Sequence, residues 1–177
     1  MESAKASAPG SRFTIETATW RDLSALRHLE QVCFPQDAWP LWDLVGVLTV
    51  SNVVRLKAVL DGKMAGFIAG DWRRSDNVAW ISTVGVFPEY RRQGIGRALI
   101  EACEQRLGGR SIRLSVRASN RQAIRLYESL GYFHLGTWPE YYQGGEDALV
   151  MEKASTIAGD PSSGFPAIGG PVVRDEF

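Results

Sequence analysis

The residues best suited to holding a ligand run from position 84 to 99: Val84-Gly85-Val86-Phe87-Pro88-Glu89-Tyr90-Arg91-Arg92-Gln93-Gly94-Ile95-Gly96-Arg97-Ala98-Leu99. An apolar, strand-like run ends at Pro88, passes through Arg91-Arg92-Gln93-Gly94-Ile95-Gly96 and enters a helical pattern at Arg97. Glycines at 94 and 96 remove the Cβ atoms that would keep the backbone away from a bulky anion. The helix beyond offers unpaired N–H groups and the positive end of its dipole. Strand, Gly-rich turn and helix, flanked by three arginines, therefore predict a pyrophosphate cradle. An isolated Gly-x-Gly would indicate no more than a turn needing positive φ; the strand before it and the helix after it favour the cradle. A dinucleotide fingerprint requires a third small residue where Leu99 stands, and a P-loop requires a Gly-Lys-Ser/Thr run that the chain lacks.

The elements that must position this turn follow from periodicity. Residues 13–18 alternate like a strand, and residues 22–32 form a helix with Leu23, Leu26, Leu29 and Val32 inward. Pro35 ends that helix, because proline disfavours helical geometry in the residue before it. A short helix is expected over 38–48. Strands at 53–60 and 63–72 flank Asp61-Gly62, a two-residue hairpin signal. A third long strand covers 78–86, and the helix after the cradle, 96–107, stops at Gly108-Gly109. A strand at 112–116, a helix at 123–130 ending at Gly131, and an antiparallel pair at 133–138 and 148–152 complete the order. Residues 1–11 form a loose arm, 12–153 the domain, and 154–177, rich in Gly, Pro and Ser without period, a flexible tail.

Composition excludes several classes. At 177 residues one domain with a real core is expected, and 20 basic against 20 acidic side chains give no global field for nucleic acid. No signal core or membrane-spanning run is present, so no membrane partner and a cytoplasmic location are expected. Cys33 and Cys103 have no metal-like or CxxC spacing; Cys103 shares a helical stripe with Leu99 and Leu107 and is expected to be buried. His28 and His134 stand apart from any carboxylate cluster, and no metal is expected. Charge is uneven, however: residues 89–128 hold nine arginines against four glutamates. Arg106, Arg110, Arg121 and Arg125 fit solvated helix faces and are not assigned to a ligand.

Three motifs in order resemble the Gcn5-related N-acetyltransferase (GNAT) superfamily. Arg-x-x-Gly-x-Gly after Val-x-Val is similar to its acetyl-CoA motif. Leu114-Ser115-Val116-Arg117-Ala118-Ser119-Asn120, then Ala123, Leu126-Tyr127 and Leu130-Gly131-Tyr132, resembles the second cofactor motif in its RimI-type form. Tyr141-Tyr142-Gln143-Gly144-Gly145-Glu146-Asp147-Ala148 resembles the substrate-side loop of the same protein N-terminal acetyltransferases. The likeness spans roughly residues 12–153. It implies an α/β fold of mixed α+β type: about seven strands in a mixed, mostly antiparallel sheet with a splayed parallel pair, flanked by about four helices. It also implies acetyl-CoA as cosubstrate, whose phosphates suit the local arginine excess. Val84, Gly85, Val86, Arg91, Arg92, Gln93, Gly94, Ile95, Gly96, Arg97 and Asn120 are then the cofactor-binding residues, with pantetheine paired to backbone near Val84–Val86. Asn120 also suits the N-cap of the following helix.

Chemistry at the thioester needs a neutral nitrogen, a polarised carbonyl and a proton for the departing thiolate. A Val86 N–H is a candidate partner for the carbonyl oxygen. The resemblance gives Tyr127 the catalytic role of general acid; packing in the core would equally explain an aromatic there. It assigns Phe34, Tyr141 and Tyr142 to the acceptor, alongside Trp39 and Trp42, although aromatic burial or cross-strand packing accounts for such residues too. The departure is Ser115, where the RimI type carries Glu as base. An α-amine of pKa about 7.8 is roughly one-seventh neutral at pH 7, while a lysine near 10.4 is neutral to about 0.04%. A site without a strong base therefore suits an α-amine; ordered water leading to Glu140, Glu89 or Asp37 is the alternative, and the base is unassigned. The expected acceptor is a protein or peptide N-terminus, ribosomal proteins included, with a small amine or a silent acetyl-CoA-binding module as alternatives. The chain is expected to be a monomer or homodimer.

Overall fold

A computed structural model describes residues 12–35, 37–73, 78–155 and 175–176. The expected N-terminal arm lies outside the described residues, as does the tail apart from residues 154, 155, 175 and 176. The elements in chain order are β1 (Thr14–Thr17), α1 (Leu23–Cys33), α2 (Leu41–Thr49), β2 (Val53–Leu60), β3 (Lys63–Arg73), β4 (Val78–Val86), α3 (Ile95–Leu107), β5 (Ile112–Arg117), α4 (Arg121–Ser129), β6 (Phe133–Tyr142), β7 (Glu146–Lys153) and β8 (Asp175–Glu176). Short 3-10 turns at Trp20–Asp22 and Pro88–Tyr90 introduce α1 and follow β4. Among the described residues no helix is long and apolar enough to cross a membrane.

The sheet runs β1-β2-β3-β4-β5-β7-β6, with β8 set against β4 off that path. Every neighbouring pair on the path is antiparallel except β4 and β5, which run parallel. Asp61 and Gly62 both take positive φ (50° and 74°), the two-residue hairpin geometry their sequence predicts. Alternation along β5 sends Ile112, Leu114 and Val116 to one face, packed under α3 and α4, and Arg113, Ser115 and Arg117 to the other. That second face carries α1 and α2 through Leu26, Leu29, Cys33, Phe34, Leu44 and Leu48.

Several boundaries and one face differ from the sequence expectation; α4 begins at Arg121 and β7 at Glu146, each two residues before its expected start. α3 begins at Ile95, one residue before the glycine expected to open it, and α2 begins at Leu41, after Pro40. β6 continues past Trp138 to Tyr142 through a bulge that includes Glu140 at φ 50°. The buried stripe of α1 is Leu26, Leu29, Glu30 and Cys33, while Val32 turns outward. Spacings of three, one and three close that stripe, and Val32 falls off it.

Close packing around β4 depends on glycine. A Cβ on Gly66 would sit 2.8 Å from the Gly85 carbonyl oxygen and 3.1 Å from Leu99 Cδ1, so its absence lets β3, β4 and α3 meet. A bulge between Ala69 and Gly70 offsets β4, and Ser82 takes up the extra residue, donating to Asp71 Oδ1 at 3.1 Å. Beyond it Thr83 faces α1 and donates to Glu30 Oε1 at 3.3 Å.

Candidate active site

β4 and β5 pair at only two positions, Ala79↔Ile112 and Trp80↔Arg113, and then diverge. The end of β4 therefore keeps an edge that β5 does not cover. Phe87 N–H bonds to the Ala65 carbonyl on the β3 side at 3.0 Å. Strand alternation turns the Val86 N–H to the opposite edge, into the divergence. The Val86 carbonyl on that edge accepts from Arg91 Nε at 3.1 Å and from the Cys33 thiol at 3.5 Å. β8 lies along the same edge, parallel to β4, with Val84↔Asp175 and Gly85↔Glu176 in register.

Pro88–Tyr90 then turns the chain into Arg91–Gly94, where Arg92 has φ 64° and Gly94 φ 80° as the N-cap of α3. A Cβ on Gly94 would meet nothing within 4 Å: the residue faces open space, and its φ favours glycine. Beside it opens a cleft of about 220 Å³ lined by Val86, Arg91, Arg92, Gly94, Ile95, Gly96 and Arg97, with Tyr90, Gln122 and Leu126. The turn, the amide end of a 13-residue helix and a strand edge with an outward N–H thus converge on one space. This fits a phosphate-bearing ligand with an amide-containing arm.

Other predicted donor-side residues are placed differently. Gln93 Nε2 turns back to the Glu89 carbonyl at 3.5 Å, and Asn120 Oδ1 accepts from Ala123 N at 3.1 Å as the cap of α4. Gly85 is needed for packing as much as for any ligand, since a Cβ there would lie 2.9 Å from Leu29 Cδ2. Arg97 donates to Ser129 Oγ at 2.6 Å and ties the start of α3 to the end of α4. Of the nine arginines in the basic stretch, four are engaged elsewhere: Arg106 with Thr17, Arg110 with Leu107 and the Trp72 ring, Arg113 with Glu152, and Arg117 with Asp37 and Glu146. Gln122 carries no signal in the sequence, and Leu126 enters there only as part of the second motif. Their spacing of four puts them on one side of α4, adjacent to the buried Ala123 and Tyr127.

Tyr127 is fully buried on α4 and meets Tyr132 edge to face, with ring centroids 5.6 Å apart. Tyr132 itself is a packing residue: burial, then the Glu104 charge, push its hydroxyl well above the ordinary tyrosine value. Burial also lifts the Cys103 thiol to about 12, which leaves it inert as a nucleophile.

The opposite face of the splay is built from side chains far apart in sequence. Ser115 is fully buried, and its carbonyl accepts from Tyr142 Oη at 3.2 Å. An aromatic row runs Trp80–Trp138–Tyr141–Tyr142, with centroid separations of 5.8, 4.9 and 5.3 Å. Tyr141 and Tyr142 end β6 rather than standing in a loop. Phe34 is buried against Gly85, whereas Trp42 is 80% exposed. Arg117 lies over the Tyr142 ring at 4.4 Å; its Nη2 pairs with Asp37 and its Nη1 with Glu146 at 2.8 Å. Glu146 also accepts from Ser119 N, and Asp147 from Glu140 N, both at 2.9 Å. Glu146 and Asp147 therefore shape the turn that follows the tyrosines. Burial pushes the Glu146 carboxyl up, but the Ser119 hydrogen bonds and the Arg117 charge outweigh it and hold it below its ordinary value.

This arrangement has relatives. The chain matches the Acetyltransferase (GNAT) family over residues 19–132. It is 35% identical over 146 residues to the [ribosomal protein bS18]-alanine N-acetyltransferase of Escherichia coli K12, covering 78% of this chain and 95% of that protein. It is 28% identical over 156 residues to an N-alpha-acetyltransferase of Sulfurisphaera tokodaii, covering 80% and 93%. The crystal structure of the Escherichia coli ribosomal-protein-S18-alanine N-acetyltransferase superposes with a TM-score of 0.76 at 33% identity, over 84% of this chain and 97% of that one. The chain belongs to the GNAT acetyltransferase family. It is an N-acetyltransferase.

Proposed function

We propose that the chain transfers an acetyl group from acetyl-CoA to the α-amine of a protein or peptide N-terminus. The observation that carries this reading is the divergence of β4 and β5 beside the glycine turn, with the Val86 N–H aimed into it. Val84, Gly85 and Val86 offer the strand edge to the pantetheine arm, and Asn120 stands at the far side. Arg91 to Arg97, with the amides of Gly94, Ile95 and Gly96, receive the pyrophosphate.

The Val86 N–H polarises the thioester carbonyl. The amine nitrogen forms a bond to the carbonyl carbon as the carbon–sulfur bond breaks. Tyr127 gives its phenolic proton to the departing sulfur, and the surplus amine proton leaves to water. Ser115 supplies no base, so the amine must arrive neutral, which an α-amine does far more often than a lysine. Asp37 and Glu146 are both paired to Arg117. That pairing offsets two negative charges on this side and favours an N-terminus of neutral residues, held by Phe34, Tyr141 and Tyr142, over a polyamine. A bS18-like N-terminal segment beginning with alanine is the first acceptor to try.

Thiol release from acetyl-CoA, measured with a panel of N-terminal peptides and a panel of small amines, tests this. Turnover concentrated on peptides is expected. Turnover on small amines alone would move the acceptor class, and CoA binding without turnover on any acceptor would leave only a binding module.

A further inference from the structure

Arg117 does more than balance charge. One guanidinium reaches two segments that are far apart in sequence: Asp37 in the connection between α1 and α2, and Glu146 at the start of β7. Its plane covers the Tyr142 ring, whose hydroxyl is bonded to the Ser115 carbonyl two residues before Arg117 on the same strand. Each arm is braced further. Asp37 N donates to the Phe34 carbonyl at 3.1 Å, so the carboxylate is fixed relative to the buried Phe34. Glu146 is held a second time by Ser119 N. The three charged side chains are mostly shielded from water, with Asp37 at 11% exposure, Arg117 at 24% and Glu146 at 28%. A planar fork serves two carboxylates at once, which a lysine ammonium does less well.

We infer that Arg117 is a positioning residue for the acceptor: its double ion pair clasps the α1–α2 connection to the β6–β7 turn and so fixes the distance between Phe34 and the Tyr141–Tyr142 pair. This rests on the reading that a peptide N-terminus enters between those two segments. It touches neither the strand edge of β4 nor the glycine turn, so its loss acts on one substrate only.

Steady-state kinetics on the full chain test it. Arg117→Met is expected to raise the KM for an N-terminal peptide about tenfold, on the usual scale of a lost bidentate contact. The KM for acetyl-CoA should stay within about twofold, as should kcat at saturating peptide. Arg117→Lys should fall between the two. Asp37→Asn and Glu146→Gln should each raise peptide KM by about threefold, with little further change when either is combined with Arg117→Met. Asp37→Asn lies outside the sheet and carries the same readout if Arg117→Met does not fold. An unchanged peptide KM, or an equal rise for acetyl-CoA, overturns the inference. Amide hydrogen exchange separates it from the proposed function. With no acceptor present, Arg117→Met should speed exchange in residues 34–40 and 140–147 together, and exchange that stays slow in both overturns the clasp even if wild type acetylates no peptide.

Discussion

The two halves of the splay are built on opposite principles. On the proposed donor side, the groups offered come from one continuous stretch of 14 residues, Val84 to Arg97, and are largely backbone: an outward N–H, a positive-φ glycine and the start of a helix. On the proposed acceptor side, the groups are side chains drawn from the α1–α2 connection, β5, β6 and β7, and they are held in place by ion pairs spanning 80 and 29 residues. A local backbone device works wherever the turn forms. A clasp between distant side chains works only once the whole sheet has assembled, and it can be tuned without disturbing the donor.

This contrast makes the two sides separable by substitution. The largest effect is expected at the proposed general acid. Tyr127→Phe keeps the buried ring and its packing but removes the proton; kcat should fall about a hundredfold while acetyl-CoA affinity is retained. Full activity in that variant would reduce Tyr127 to a packing residue. Next, Gly94→Val forces a branched side chain into φ 80° and fills the open space beside the turn. Binding of acetyl-CoA by calorimetry should weaken by at least about tenfold, with peptide KM unmoved.

A smaller effect is expected from β8, which pairs on the β4 edge that the pantetheine arm would use. Full-length chain carrying Asp175→Pro and Glu176→Pro loses backbone donors there, and its KM for acetyl-CoA should drop about two- to threefold through relieved competition. An unchanged KM would mean that β8 does not compete.

The smallest concerns Glu146. Its folded-state value is depressed, so the stabilisation it gives is complete above the unfolded value near about 4.3 and is lost as pH falls through the folded value. Glu146→Gln should melt about 1–3 °C below wild type at pH 7. The two should converge near pH 2–3, by roughly the same linkage. A gap that persists in acid would show that the carboxylate charge is not what matters.

Much of this fold was legible in the sequence because its signals are local. β4 stands at the residues its apolar run predicts, and Asp61-Gly62 makes the expected hairpin turn. The glycine turn stands between β4 and α3, as its sequence predicts. What was hidden is non-local. Nothing in the sequence pairs Arg117 with Asp37, and counting nine arginines as one basic field placed Arg113 and Arg117 on the donor side, when strand alternation sends both to the other face. Val32 looked as apolar as its neighbours, yet the helical phase puts the polar Glu30 inward instead, where Thr83 and the Trp39 N–H satisfy its carboxylate. Trp42 is aromatic without being buried, because α2 begins at Leu41 and turns it to water. Hydrophobic type announces burial only when register is known.

The proposed reaction requires an acceptor nitrogen that is an α-amine and arrives neutral. One peptide with an alanine N-terminus and an internal lysine, incubated with the chain and acetyl-CoA and sequenced by fragmentation mass spectrometry, tests it most directly. Acetyl on the terminal nitrogen, with kcat/KM rising with pH up to about 8, is the result the account predicts. Acetyl on the lysine side chain, or on neither nitrogen, would contradict it.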